Sequence, residues 1–261
     1  MLTRATFASR FGARAVFGMV HLLPLPGAPL FRGSLDEVIE AALDDARALE
    51  EGGCDGMVVE NFGDRPFFAT SVPPSTVATM ARVVAEVRSV VKLPTGVNVL
   101  RNDARAALAV AAATGAAFVR VNVHTGAMLT DQGVIEGAAA ETLRLRASLA
   151  PEVAIFADHL VKHAVPLAPA DPAQAAKDLR LRGLADALIV TGSETGAAAD
   201  PGRLERLRDA VDAPLLAGSG VDAGNAGSFR AADGVIVGTS LKEGDRMSPA
   251  RVAAVVRAFK G

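Results

Sequence analysis

The chain has no tryptophan, no tyrosine and one cysteine among its 261 residues. With aromatics at 4%, stacking on nucleic-acid bases would fall to phenylalanine and histidine alone, so single-strand binding is not expected. The same scarcity predicts an aliphatic core of Ala, Val, Leu and Ile. A lone cysteine, Cys54, excludes an intrachain disulfide and fits a reducing cytoplasm. A charge excess is missing too: 27 Lys and Arg stand against 29 Asp and Glu, interspersed, for a formal net charge of −2. No basic stripe points to a nucleic-acid partner. Pro24, Pro26 and Gly27 break the apolar stretch after Val20, so neither a signal peptide nor a transmembrane helix is expected. Neither HExxH nor CxxC spacing occurs, and no GxGxxG follows the first apolar run.

Half of the residues are hydrophobic, enough for a large buried core. Short apolar runs at 15–20, 55–60, 95–99, 117–123, 153–158, 185–191, 214–218 and 233–237 predict eight strands. They are continuous rather than alternating, as expected of parallel strands covered by helices. Ala- and Arg/Glu-rich segments at 35–51, 74–91, 103–114, 135–149, 172–182, 201–210, 223–231 and 249–259 predict eight helices. Ser34 is placed as an N-cap, and Pro172, Pro201 and Pro249 as first-turn prolines. Strict βα alternation over about 250 residues points to the α/β class and one (β/α)8 barrel spanning residues 1–261. Helix-to-strand connections are short and strand-to-helix connections long, so chemistry is expected at the C-terminal ends of the strands.

That rim collects the polar residues. His21, His124, His159 and His163 each follow a strand; Glu60 and Asn61 end strand two, Asn98 lies near the end of strand three and Asp158 ends strand five. Arg120, Asn122 and His124 alternate along strand four, which puts all three on the lumen side while Val119, Val121 and Val123 face the helices. Glu60, Asp158 and the histidines suit general acid–base work. A purely structural alternative has Arg120 bridging Glu60 and Asp158. A divalent metal on the histidines and carboxylates is a further option. Lys162 could contact phosphate, act as a base or form an imine. Strands six, seven and eight end in Gly192-Ser193, Gly218-Ser219-Gly220 and Gly238-Thr239-Ser240. Glycine lets backbone N–H groups approach an anion, and barrel enzymes often hold phosphate on the last two of these loops.

The runs Gly18-Met19-Val20-His21-Leu22-Leu23-Pro24-Leu25-Pro26-Gly27, Val59-Glu60-Asn61-Phe62-Gly63-Asp64 and Gly96-Val97-Asn98-Val99-Leu100-Arg101-Asn102-Asp103 resemble the BtpA/SgcQ family. So do Arg120-Val121-Asn122-Val123-His124-Thr125-Gly126, Asp158 with Val161-Lys162-His163-Ala164, Thr191-Gly192-Ser193-Glu194-Thr195-Gly196 and Val235-Ile236-Val237-Gly238-Thr239-Ser240-Leu241-Lys242. The resemblance implies a ribulose-phosphate-binding type of barrel. Members carry descriptions ranging from photosystem I biogenesis factor to nucleosidase.

The expectation is therefore an enzyme acting on a phosphorylated sugar or nucleoside-like molecule, by glycosidic cleavage or isomerisation. Its catalytic set would be Asp158, Glu60, His21, His124, Lys162, His163, Asn98, Arg120 and Asn122. Gly192, Ser193, Gly218, Ser219, Gly220, Gly238, Thr239 and Ser240 would hold the phosphate. No organic cofactor is expected. The expected partners are the small-molecule substrate and further copies of the chain. A non-catalytic complex-biogenesis factor and a metal-dependent hydrolase or lyase are the competing functions.

Overall fold

A computed structural model describes residues 1–192 and 198–261. Its chain begins with helix α1 (Arg4–Phe11), then strand β1 (Ala15–His21), α2 (Leu35–Glu51), β2 (Gly56–Glu60), α3 (Pro74–Val90), β3 (Thr95–Asn98), α4 (Ala104–Thr114) and β4 (Phe118–Val121). Strands β5 (Ala127–Thr130) and β6 (Gly133–Glu136) precede α5 (Ala139–Leu149) and β7 (Ala154–His159). The rest comprises β8 (Ala164–Pro166), α6 (Pro172–Lys177), β9 (Ala187–Val190), α7 (Pro201–Ala210), β10 (Leu215–Ala217), β11 (Gly234–Val237) and α8 (Pro249–Lys260). Eight parallel strands close in the order β1-β11-β10-β9-β7-β4-β3-β2, giving the (β/α)8 barrel expected from the sequence. Among the described residues, no helix is long and apolar enough to cross a membrane.

The alternation of β-strand side chains divides the barrel core. Val16, Val20, Val59, Val97, Val119, Ile155, Leu188 and Leu215 face outward and form one core with the helices. Phe17, Val58, Phe118, Phe156, Ile189, Leu216 and Ile236 face inward and fill the lumen. The outer core is mainly aliphatic, as composition implied, but the lumen is not purely so. Phe17, Phe118 and Phe156 meet Phe7 and Phe11 of α1, with ring centroids 5.5–6.3 Å apart, and pack on one another at 4.3–6.0 Å. Helix α1, capped by Thr3 and Thr6, therefore plugs the N-terminal end of the barrel. The sequence reading did not anticipate it, although the i, i+4 spacing of Phe7 and Phe11 was the available signal.

Two other departures have local causes. The helix expected over 223–231 is reduced to a 3-10 turn at Ala226–Ser228. Asp222 Oδ1 accepts from the Gly224 and Asn225 N–H groups, and Asn225 Oδ1 accepts from the Asp222 N–H. Such side-chain bonds compete with a helix, and Gly224 and Gly227 weaken it further. The helix expected from 135 starts only at Ala139, because 133–136 form β6. Strands β6, β5 and β8 make a small antiparallel sheet that lays Met128 and Ile135 over Val123 and Val161 at the barrel mouth.

Candidate active site

At the C-terminal end of the barrel lies a cavity of about 230 Å³. Its lining includes His21, Glu60, Arg120 and Lys162 on one side and Gly218–Gly220 with Gly238–Ser240 on the other. Strand register brings the first group together. His21 of β1 is level with Glu60 of β2, which is level with Asn98 of β3. Asn98 Nδ2 donates to Glu60 Oε2, and His21 Nε2 lies 3.7 Å from Glu60 Oε1. The His21 ring stacks on Phe62 at 4.5 Å. Burial pushes the His21 pKa down, with Lys242, Lys162 and Arg120 adding to the effect and Glu60 opposing it. Gly238 makes room for this ring: a Cβ there would sit 3.0 Å from His21 Cε1.

Arg120 and Asp158 form a buried fork. Arg120 Nε and Nη2 donate to the two Asp158 oxygens, each at 2.9 Å, and Asn122 Nδ2 donates to Oδ2 at 3.0 Å. Burial alone would depress the Arg120 pKa. The Asp158 charge and hydrogen bonds, with Glu60, outweigh burial and hold it above its ordinary value. Three donors thus engage the carboxylate expected to be a catalyst, and Asp158 does not line the cup. Arg120 is bonded to Asp158 but not to Glu60, so the bridge between both acids is not formed. Asn122 Oδ1 and Thr191 Oγ1 are buried without a hydrogen-bond partner among the described residues. Each such group costs about 1–3 kcal/mol.

Lys162 projects from the loop after β7, flanked by left-handed backbone at Leu160 (φ 51°) and His163 (φ 55°). Arg101, itself buried, donates to the Lys162 carbonyl at 2.7 Å and fixes that loop. Burial and then Arg120 lower the Lys162 pKa. Around Lys162 stand Arg101, Arg120, Glu60 and Asp158: three cations, counting Lys162, against two carboxylates. Across the cavity, Ser240 Oγ donates to the Val221 carbonyl at 2.6 Å and ties the two glycine turns together. Ser219 Oγ accepts from the Gly192 N–H at 2.8 Å, linking the preceding turn to them. Gly192 is not in the cavity lining, and Ser193 lies outside the described residues.

The rim histidines do not converge. His124 Nε2 is 2.7 Å from the Gly183 carbonyl, and His124 is absent from the cavity lining. Alternation fails here because β4 ends at Val121, and Asn102 grips both the N–H and the carbonyl of Val123. His163 is exposed and also outside the lining. Among the described residues, no three His, Cys, Asp or Glu side chains are placed to share a metal ion. Met19, Phe62, Val221, Asp222 and Ile236 complete the cup and were not singled out from the sequence as site residues. Nor was Arg101, although a charged residue just past β3 was a usable signal.

His159 is a structural joint. Its Nδ1 accepts from Arg203 at 2.9 Å, so Nε2 carries the proton and donates to the Pro172 carbonyl at 2.8 Å. Burial, then the Arg203 charge, push its pKa from 6.5 down to about 4. As pH falls, the unfolded chain takes up this proton first. The contribution is thus fully present above pH 6.5 and lost as pH falls towards 4. We expect urea unfolding at pH 4.5 to show roughly 2–3 kcal/mol less stability from this residue than at pH 7.5. His159→Asn should shrink the pH difference by that amount; an unchanged difference would contradict the assignment.

Comparisons with known proteins agree with the fold and sequence motifs. Residues 12–261 match the model of the BtpA family. "Photosystem I biogenesis protein BtpA" of Synechocystis is 48% identical over 253 residues, covering 94% of this chain and 87% of that protein. Among solved structures, thiamine phosphate pyrophosphorylase from Pyrococcus furiosus superposes with a TM-score of 0.62 at 13% identity, covering 95% and 96% of the two chains. (S)-3-O-geranylgeranylglyceryl phosphate synthase from Thermoplasma acidophilum, in complex with sn-glycerol-1-phosphate, also gives 0.62 at 13% identity, with coverage of 100% and 99%. The structural likeness establishes the barrel; the sequence match establishes that the chain belongs to the BtpA family.

Proposed function

We propose that this protein is an enzyme acting on a small phosphorylated sugar-like substrate, by proton transfer at a carbon next to a carbonyl. One observation carries this reading: a single cavity faces two glycine turns on one side and a Glu60–His21 pair, with Lys162, on the other. The glycine turns suit a phosphate because backbone N–H groups can reach it without side-chain obstruction. Thr239 and Ser240 open a 3-10 turn, where N–H groups lack internal acceptors. Lys162 and Arg120 line the cup and can attract an anion, against Glu60 and Asp222 in the same lining. Glu60 is the candidate base, positioned by Asn98, and neutral His21 the candidate proton donor to the developing oxyanion.

Glycosidic cleavage by the usual pair of carboxylates is less well supported. It needs two acids flanking one bond; Asp158 is committed to Arg120 and Asn122, and Asp222, the other carboxylate in the lining, accepts from the Gly224 and Asn225 N–H groups. A biogenesis role like that named for the cyanobacterial relative predicts instead that the cup is dispensable.

Two measurements test the reading. Calorimetric titration with inorganic phosphate should detect binding, and Lys162→Met should weaken it by about tenfold, the loss of one charge-assisted contact. Incubation with ribose 5-phosphate in D2O should give deuterium incorporation beside the carbonyl. Glu60→Gln should slow this exchange by about 10²–10⁴-fold while phosphate still binds. Exchange at the wild-type rate in Glu60→Gln removes the proposed base; no phosphate binding removes the substrate class.

A further inference from the structure

Arg120 belongs to the cup lining and has donors to spare. A guanidinium carries five N–H groups in one plane. Asp158 takes two of them, one from Nε and one from Nη2, each at 2.9 Å. Three remain, two on Nη1 and one on Nη2. One from each nitrogen points off the end of the plane, so the pair makes a second fork. Among the described residues Nη1 makes no hydrogen bond, and it is not one of the sealed side-chain atoms left without a partner. Its open side is the cup, the cavity that Arg120 lines. The aim of this fork is fixed from behind. Asn122 Nδ2 also donates to Asp158 Oδ2, so the carboxylate is held from two sides and the guanidinium plane with it. The Arg120 side chain is 4% exposed, which leaves little freedom to swing.

We infer that Arg120 holds the reacting end of the substrate, its free fork donating to a carbonyl oxygen and to the hydroxyl oxygen on the neighbouring carbon. The substrate class is then a phosphorylated α-hydroxy aldehyde or ketone. This rests on the proton-transfer reading above and deepens it. Uncharged oxygens fit the fork better than a carboxylate does. Asp158 already neutralises Arg120, and Glu60 lines the same cup, so a carboxylate there would be a further buried charge without a cation of its own. Lys162, the other cation of the lining, serves the phosphate. When Glu60 takes the proton from the hydroxyl-bearing carbon, the C–H electron pair becomes a C=C bond and the carbonyl π pair moves onto oxygen. That oxygen takes a proton from His21. Return of the Glu60 proton to the adjoining carbon, with loss of the adjoining hydroxyl proton to His21, completes an isomerisation with no net oxidation. The intermediate sets two oxygens side by side in one plane, the arrangement a planar fork matches. Attraction to the fork grows as charge develops on oxygen, so the contact favours the transition state over the bound substrate.

The experiment is calorimetric titration of the full chain with inorganic phosphate, ethyl phosphate, phosphoglycolate and phosphoglycolohydroxamate. The hydroxamate is uncharged at its reacting end and sets a carbonyl and an N–OH oxygen side by side, as the intermediate does. Wild-type protein should bind it about a hundredfold more tightly than ethyl phosphate. It should also bind it more tightly than phosphoglycolate, which carries a carboxylate at that end. Arg120→Lys keeps the charge but loses the second fork. It should reduce the hydroxamate-to-ethyl ratio below about tenfold while inorganic phosphate still binds. Arg120→Met with Asp158→Leu removes the ion pair outright and should lower the ratio to the same extent, so the test survives a lysine variant that fails to fold. A hydroxamate that binds wild type no more tightly than ethyl phosphate overturns the inference, whether or not the variants fold. So does a ratio that persists in either variant. Phosphoglycolate binding more tightly than the hydroxamate overturns the uncharged substrate class. If inorganic phosphate fails to bind, the anion site falls and this inference with it; phosphate binding without a hydroxamate gain overturns the role of Arg120 alone.

Discussion

Asp158→Ala is expected to lower the unfolding free energy by about 3–5 kcal/mol, the range seen when one partner of a buried ion pair is removed. The Arg120 side chain is 4% exposed and that of Asp158 is fully buried. Alanine would leave a guanidinium in the lumen without its counter-charge and would also strip the acceptor from Asn122. Burying an unpaired charge costs far more than the net value of the pair. The double substitution Arg120→Met with Asp158→Leu should recover most of the loss, because it removes both charges while keeping volume. Urea unfolding of the three proteins checks both statements. A loss below about 1 kcal/mol in Asp158→Ala would show that water reaches the pair and that the lumen is not dry at this depth. The result also governs how activity data are interpreted: an inactive Asp158→Ala would first have to be shown to be folded.

Phe11→Ala is expected to cost about 3–5 kcal/mol, as for large aromatic truncations in cores. Phe11 is 3% exposed, and its ring lies 5.2, 5.6, 5.7 and 5.5 Å from Phe7, Phe17, Phe118 and Phe156. Alanine removes the shared neighbour of four rings and opens a cavity at the foot of the barrel. Ser9→Ala on the exposed face of the same helix should change stability by no more than about 0.5 kcal/mol. Thermal and urea unfolding of both variants provide the comparison. Similar small effects in the two would mean that α1 lies on the barrel without sealing it.

The contrast between these regions shows what could be read from residue order. The eight barrel strands were legible because continuous apolar runs bounded by short helix-to-strand links have few other uses. Alternation placed Arg120 and Asn122 in the lumen, where they are found. It misplaced His124, since the period of two holds only while a strand lasts and β4 stops at Val121. The two glycine turns were legible as strand-to-helix loops. Which acid would remain open was not: Glu60 and Asp158 both end strands, and only the packing of Arg120 against one decides between them. The aromatic plug was hidden by averaging. A content of 4% says nothing of five phenylalanines gathered at one end of one barrel. The small sheet arises within two loops whose strands are three or four residues long, too short for a periodic signal.

The phenylalanine plug has a kinetic consequence. With Phe7 and Phe11 closing the floor, the barrel is a vessel with one mouth. If the proposed reaction runs in the cup, its product must leave by the route its precursor used, so product still in place obstructs the next molecule. Traffic through such a site is alternating rather than through-flowing.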